Sequence, residues 1–381
     1  MAAPRIRLGM VGGGRGAFIG GVHRIASRID DKYELVAGAL SSNPENAKAS
    51  AEDLLIAPDR SYSSYAEMFK AEAAREDGIE AVAIVTPNHM HFPVAKAALE
   101  AGINVICDKP VTRTLEEALE LEQLVNNSDA FFALTHNYSG YPLVRYAREM
   151  VERGDLGNIR IVQVEYPQEW LTEQQDSDNK QASWRTDPAR SGAAGCLGDI
   201  GTHAFQLARF ISGQKVASVC ADLTAFVPGR PVDDNVHVMM RFEGGAKGML
   251  WSSQVAPGCE NGLRIRLYGD KAGLSWSQEN PNEMWFTPLG APQQRITRRD
   301  DYWDSEFAVR GIRIPFGHPE GYLEAFATIY KDVADVLQAK REGKTVDIES
   351  WIPGIETGVE GLKFITAVLA SSEADSRWTE L

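Results

Sequence analysis

Cysteine is scarce in this chain of 381 residues: the four present, Cys107, Cys196, Cys220 and Cys259, lie far apart with no C-x-x-C pair. Neither a disulfide framework nor a thiolate zinc site is signalled, and the four read as buried thiols in a reducing compartment. Positive charge is also short. Thirty-nine Lys and Arg face 53 Asp and Glu, a net charge of −14 that repels nucleic acid and anionic membrane surfaces. No apolar run reaches the roughly 18 residues of a membrane helix, and no charged leader with an apolar h-region precedes the first strand. The expectation is a cytoplasmic, soluble protein without nucleic-acid or membrane partners. What the chain does have is core material. At 44% hydrophobic, its length exceeds the roughly 250–300 residues one core usually holds, which points to two domains.

The first third alternates short apolar runs with helix-period segments, the order that builds an α/β, doubly wound parallel sheet. Strands are expected at 6–11, 34–40, 81–85, 104–107 and 131–135, and helices around 43–54, 92–101 and 115–125. The helix after the first strand spaces Phe18, Val22, Ile25 and Ile29 by three and four, which predicts that this face is buried on the sheet. Beyond about residue 158, alternating β-branched segments at 159–166, 217–225, 236–242, 246–254 and 263–267 fit a mostly antiparallel sheet. A polar segment, 167–195, is long enough to be functional. Helices follow at 322–340 and after Pro353. The reading is a doubly wound domain over 1–140 and a second α/β domain over 141–381, with the terminal helices free to pack back on the first.

The first strand runs into Gly12-Gly13-Gly14-Arg15-Gly16-Ala17, which satisfies G-x-G-x-x-[GA]. In that pattern Gly12 permits the turn, Gly14 lets the backbone approach a pyrophosphate, and Ala17 lets the helix sit close to the strand. Helix N–H groups from Ala17 and Phe18 onward then face the phosphates. At the end of the second strand, where a ribose is usually read, stand Leu40, Ser41, Ser42 and Asn43. No carboxylate is there to hold two ribose hydroxyls, and no Lys or Arg adjoins to grip a 2′-phosphate. Arg15 and Lys48 are the cations placed to reach one. Capping of the next helix by Ser42 or Asn43 is the competing use of these side chains. On these residues the choice between NAD and NADP stays open.

Lys109, within Asp108-Lys109-Pro110, lies past the strand ending at Cys107, and carboxyl ends of parallel strands face the ligand crevice. Near an oxidised nicotinamide its pKa is expected to fall. Farther on, Gly198-Asp199-Ile200-Gly201-Thr202-His203 would place Asp199 and His203 four apart on one helical face, the pairing of a general base with its orienting carboxylate. Half a metal site is the alternative, as it is for His89 and His91. No third ligand is evident and a nearby lysine would repel the ion, so no metal is expected. Thr86-Pro87-Asn88, at another strand end, suits nicotinamide contact.

These motifs in this order resemble the glucose-fructose oxidoreductase, inositol dehydrogenase and rhizopine-catabolism family along nearly the whole chain. Gly12 to Ala17 matches its glycine turn, Thr86-Pro87-Asn88 with His91 its cofactor loop, and Asp108-Lys109-Pro110 its usual Glu-Lys-Pro, where the peptide before proline is often cis. The resemblance implies catalytic roles for Lys109, Asp199 and His203 and a cofactor contact at Asn137. It also implies a Rossmann domain joined to an α/β domain with a large open sheet whose exposed face forms homodimers or homotetramers. The activity implied is NAD(P)-dependent oxidation of a secondary alcohol on a sugar or cyclitol. Tyr166, Trp170, Trp184, Arg185 and His318 are the candidate substrate contacts, offering stacking faces and donors. One alternative is a redox-assisted glycosidase with spare acids at Asp176, Asp178 and Asp187. Another is a cofactor-binding sensor without catalysis, against which the retention of Lys109, Asp199 and His203 argues.

Overall fold

The computed structural model describes residues 4–174, 187–299 and 303–381. The chain forms two compact units, Met1–Asn137 with Tyr322–Val359, and Tyr138–Gly321 with Glu360–Leu381.

In the first unit β1 (Ile6–Gly12), α1 (Phe18–Ile29), β2 (Tyr33–Ala39), α2 (Pro44–Asp53), α3 (Tyr65–Ala73), β3 (Ala81–Val85), α4 (His91–Glu100), β4 (Asn104–Cys107), α5 (Leu115–Asn126) and β5 (Phe132–Leu134) follow in order. The strands make a parallel sheet ordered β2-β1-β3-β4-β5. Ala81 to Val85 are all buried, the run of apolar residues expected of a strand covered on both faces. Because the order reverses between β1 and β3, the crevice outside their carboxyl ends is the topological switch point where such sheets take ligands.

The burial expected for α1 is corrected. Phe18, Ile25 and Ile29 are exposed, and the inward face is Gly20, Val22, His23, Ala26 and Ser27. At Gly20 the helix lies too close to Gly13 for any side chain, and Phe326 and Tyr330 of the helix Tyr322–Arg341 fill the space beside His23. The sequence reading also passed over α3, although Ser64 accepts from the Glu67 N–H in the S-x-x-E pattern of a capping box.

The second unit contains α6 (Pro142–Glu152), a π turn (Leu197–Gly201) that runs into α7 (Thr202–Ser212), and the strands β6 (Ile159–Pro167), β7 (Val216–Thr224), β8 (Asn235–Phe242), β9 (Lys247–Ser253), β10 (Arg264–Gly269), β11 (Ala272–Ser277), β12 (Glu283–Pro288), β13 (Gln294–Thr297) and β14 (Thr379–Glu380). Its sheet is ordered β13-β12-β11-β10-β6-β9-β8-β7-β14 and is antiparallel except where β6 pairs with β9. Leu250, Leu263, Ile265 and Leu267 are fully buried, each such burial contributing about 1.5–3 kcal/mol. Of the cysteines, Cys107 and Cys196 are buried, but Cys220 and Cys259 are only half-buried; all four are free thiols. Among the described residues no helix is long and apolar enough to cross a membrane.

Candidate active site

The glycine turn is shaped by backbone packing. A Cβ on Gly14 would lie 2.7 Å from the Leu40 carbonyl oxygen and 2.8 Å from Ser50 Oγ, and one on Gly20 would lie 2.4 Å from Gly13 Cα. The close helix–strand approach assigned to Ala17 is therefore made by Gly20, a residue visible in the sequence just past the motif. Ala17 is the N-cap of α1 with no side-chain cap bond, and the first turn carries no acid. Its unclaimed N–H groups and positive helix end are left for an anion. Arg24 Nη1 donates to the Gly13 carbonyl at 2.6 Å, bracing the turn from below. Gly12 and Gly16 both hold positive φ, at 83° and 82°.

Ser41, Ser42 and Asn43 follow β2. Asn43 caps α2, its Oδ1 accepting from the Asn46 N–H at 2.9 Å, and Ser41 Oγ accepts from the Asn43 N–H at 3.1 Å. The Arg15 side chain lies along α2 and makes two hydrogen bonds to Asp53, at 2.6 and 2.7 Å.

Thr86, Pro87 and Asn88 follow β3, with Asn88 buried. His91 is buried and engaged by the chain itself: Nδ1 lies 2.6 Å from the Pro110 carbonyl and Nε2 2.9 Å from that of Thr86. It ties the β3 end to the loop after β4, where the Lys109–Pro110 peptide is cis. Lys109 is half-buried. Before it, Asp108 Oδ1 accepts from the Lys109 N–H at 2.9 Å and from Thr135 Oγ1 at 3.0 Å, with His23 Nε2 3.9 Å away. His23 Nδ1 lies 2.8 Å from the Tyr330 hydroxyl, and burial lowers the His23 pKa to about 4, keeping the ring neutral. At the β5 end Asn137 is buried beside His136, whose pKa is lowered to about 3 by burial and by the charge of Lys109. The sequence reading missed His23 and His136, since a lone histidine on an apolar face carries no signal of what it touches.

In the second unit Asp199 lies in the π turn rather than in an α-helix starting at Gly198, a correction of the expected register. The Thr202 N–H bonds back to the Leu197 carbonyl, the i→i+5 closure of a π turn, a feature frequent at functional sites. The turn is clamped from β8's approach: the Asp233 carboxylate accepts from the N–H groups of Gly195 at 2.6 Å and Leu197 at 2.7 Å, and the Asp233 carbonyl takes that of Cys196. Burial raises the Asp233 pKa to about 6. Asp199 Oδ2 accepts from Gln254 Nε2 at 2.9 Å. His203, 7% exposed, meets the Tyr138 ring edge-on at 4.8 Å between centroids.

Tyr166 is buried, its hydroxyl 2.5 Å from that of Tyr138 and 2.7 Å from Asn261 Oδ1. Gln168 Nε2 bonds the same Asn261 oxygen, and Trp170 Nε1 bonds Gln168 Oε1. Tyr166 and Trp170 thus belong to one polar chain that ends beside His203. Burial pushes the Tyr138 hydroxyl up to about 12. His318 is exposed on a separate loop, its carbonyl bonded by Arg298. Trp184 and Arg185, with Asp176 and Asp178, lie outside the described residues.

The first unit's residues fit a bound dinucleotide: an uncapped helix end follows a turn that has no room for a Cβ at Gly14, at the switch point of a parallel sheet. Residues 6–136 match the model of an oxidoreductase family with an NAD-binding Rossmann fold, and residues 144–275 match the GFO/IDH/MocA C-terminal domain. The chain belongs to this family. It is an NAD-dependent oxidoreductase. An oxidoreductase from Sinorhizobium meliloti is 53% identical, with 99% of each chain covered and a TM-score of 0.90. An inositol dehydrogenase homologue from Azotobacter vinelandii, solved with NADH and myo-inositol, is 35% identical over 100% of this chain and 98% of that one, with a TM-score of 0.92. Levoglucosan dehydrogenase of Pseudarthrobacter phenanthrenivorans is 29% identical over 99% of this chain and 98% of its own.

Proposed function

We propose that the enzyme oxidises a ring secondary alcohol of a cyclitol or sugar to the ketone. The observation that carries this reading is the placement of Lys109 at the carboxyl end of β4, beside the dinucleotide cradle and fixed through Asp108. Relatives that act on levoglucosan or were solved with myo-inositol support the substrate class. Bound NAD supplies the hydride acceptor. His203 takes the hydroxyl proton, Asp199 orients the imidazole, and Lys109 donates to the oxygen as its negative charge grows. The polar chain from Trp170 to Tyr166 supports the recognition of a polyhydroxylated ring.

Association of copies is part of the same proposal. Ile161, Met239, Met249 and Tyr268 are exposed on the second unit's sheet, where Ile161 pairs with Tyr268 and Met239 with Met249, and adjoining exposed apolar side chains favour a protein interface.

An absorbance screen at the reduced-nicotinamide band across inositols, hexoses, anhydrosugars and glycosides tests the activity. The expected result is NADH formation with at least one inositol or anhydrosugar. Products formed from glycosides without net NADH would instead favour the redox-glycosidase reaction, and no turnover of any polyol would reject the proposal.

A further inference from the structure

The end of β2 poses a problem of selectivity. A chain that uses NAD commonly places a carboxylate there, which holds the ribose hydroxyls and repels a 2′-phosphate. Here the residues are Ser41, Ser42 and Asn43, which are neutral and leave the phosphate unopposed. Of the acids on α2, Glu45 stands in the first turn, while Asp53 at the far end bonds the cation of the glycine turn.

Arg15 is the cation of the glycine turn. Its backbone N–H donates to Ser50 Oγ at 2.9 Å, which sets the start of its side chain level with the middle of α2. From that level, at about 1.5 Å per residue, Asp53 lies about 4.5 Å toward the helix C-terminus and Asn46, whose side-chain amide donates to Ser41 Oγ, about 6 Å toward the N-terminus. An arginine side chain rooted there can lie along the helix in either direction. Asp53 holds it toward the C-terminus through two parallel hydrogen bonds of 2.6 and 2.7 Å, the fork geometry a guanidinium also offers a phosphate.

We infer that the Arg15–Asp53 pair sets coenzyme preference: Asp53 draws Arg15 away from the ribose end of the cradle and so disfavours NADP relative to NAD. The same carboxylate neutralises the one turn cation placed to serve a 2′-phosphate, which carries close to two negative charges. Both side chains are about half exposed, so the pair is separable without disturbing the core, and a partner of higher charge competes for Arg15 once Asp53 is gone.

The test is equilibrium titration of NADH and NADPH against the full-length protein without substrate, read by coenzyme fluorescence. Because no turnover is involved, an error in the proposed substrate class leaves the result interpretable. Asp53→Asn is expected to tighten NADPH binding about fivefold, equivalent to about 1 kcal/mol, while NADH affinity changes less than twofold. Adding Arg15→Gln to that variant is expected to erase the gain. An unchanged ratio of the two dissociation constants in Asp53→Asn would overturn the inference. So would a gain that survives in the double variant, since a general loss of negative charge or the exposed Lys48 would then be responsible.

Discussion

The cofactor cradle of the first unit is made mostly of backbone, whereas the Asp199 and His203 segment of the second is held by side chains distant in sequence, at the ends of β8 and β9. In the cradle, Gly14, Gly20 and the open N-terminus of α1 are neighbours in sequence, and their packing is decided by the absence of side chains. In the second unit Asp233 and Gln254 reach across 30 to 60 residues to shape one turn. Local sites of the first kind are written in a short motif. Sites of the second kind depend on charges whose meaning appears only when the sheet has formed.

The sharpest way to separate the two regions is to remove their charged groups one at a time. Lys109→Ala is expected to lower turnover on the best polyol by about 10²–10³ while NADH affinity stays within threefold, because an oxyanion donor is lost and the cradle is not. Turnover within tenfold of the parent, measured by steady-state kinetics, would remove Lys109 from its assigned role.

Acid should act on the two units with opposite signs. His23, at about 4 against an ordinary 6.5, is protonated first in the unfolded chain, so its contribution is lost as pH falls from 6.5 to 4. His136 acts in the same direction. Asp233, at about 6 against 3.8, binds its proton first in the native state, so its contribution is full below pH 4 and lost as pH rises through 6. Each of His23 and Asp233 carries up to ~3 kcal/mol of pH dependence. Hydrogen exchange followed from pH 7 to 4.5 should show the first unit losing protection before the second. The opposite order would mean the buried histidines are not what limits it.

Smaller effects test the contacts themselves. Gly20→Ala pushes a methyl into Gly13 and is expected to cost about 1–3 kcal/mol in thermal or denaturant unfolding, with weaker NADH binding. A neutral result would show that α1 can shift freely on the sheet. Gln254→Leu releases Asp199 and is expected to lower kcat about tenfold and displace the acid limb of the pH–rate profile at unchanged NADH affinity. An unshifted profile would assign Gln254 to structure alone.

Much of this was legible beforehand. The glycine turn, the β3 and β4 ends and the two sheets follow from periodicity and small residues, since each feature is encoded within a few positions. The face of α1 was misread because hydrophobicity marks Ile25 and Ile29 as inward, yet the close approach of Gly20 to Gly13 turns Val22, His23 and Ala26 inward instead. The π turn was invisible, because its register is imposed by Asp233 from the loop that precedes β8. Strands β11 to β13 escaped for a different reason: β11 is interrupted by Gly273, Ser275 and Ser277 and β13 has only four residues, and strand-by-strand pairing outward from β10 supplies the order. The reading also passed over α6, although its signal is local: a proline at the first turn followed by Leu143, Val144, Ala147 and Met150 on one buried face.

The most direct measurement follows a deuterium label. A preferred polyol bearing deuterium on the reacting ring carbon is incubated with enzyme and NAD, and the nicotinamide product is read by NMR. The account predicts deuterium at C4 of the reduced nicotinamide, one equivalent per ketone formed, with a primary isotope effect on turnover. Consumption of the polyol with no label in the nicotinamide would contradict it.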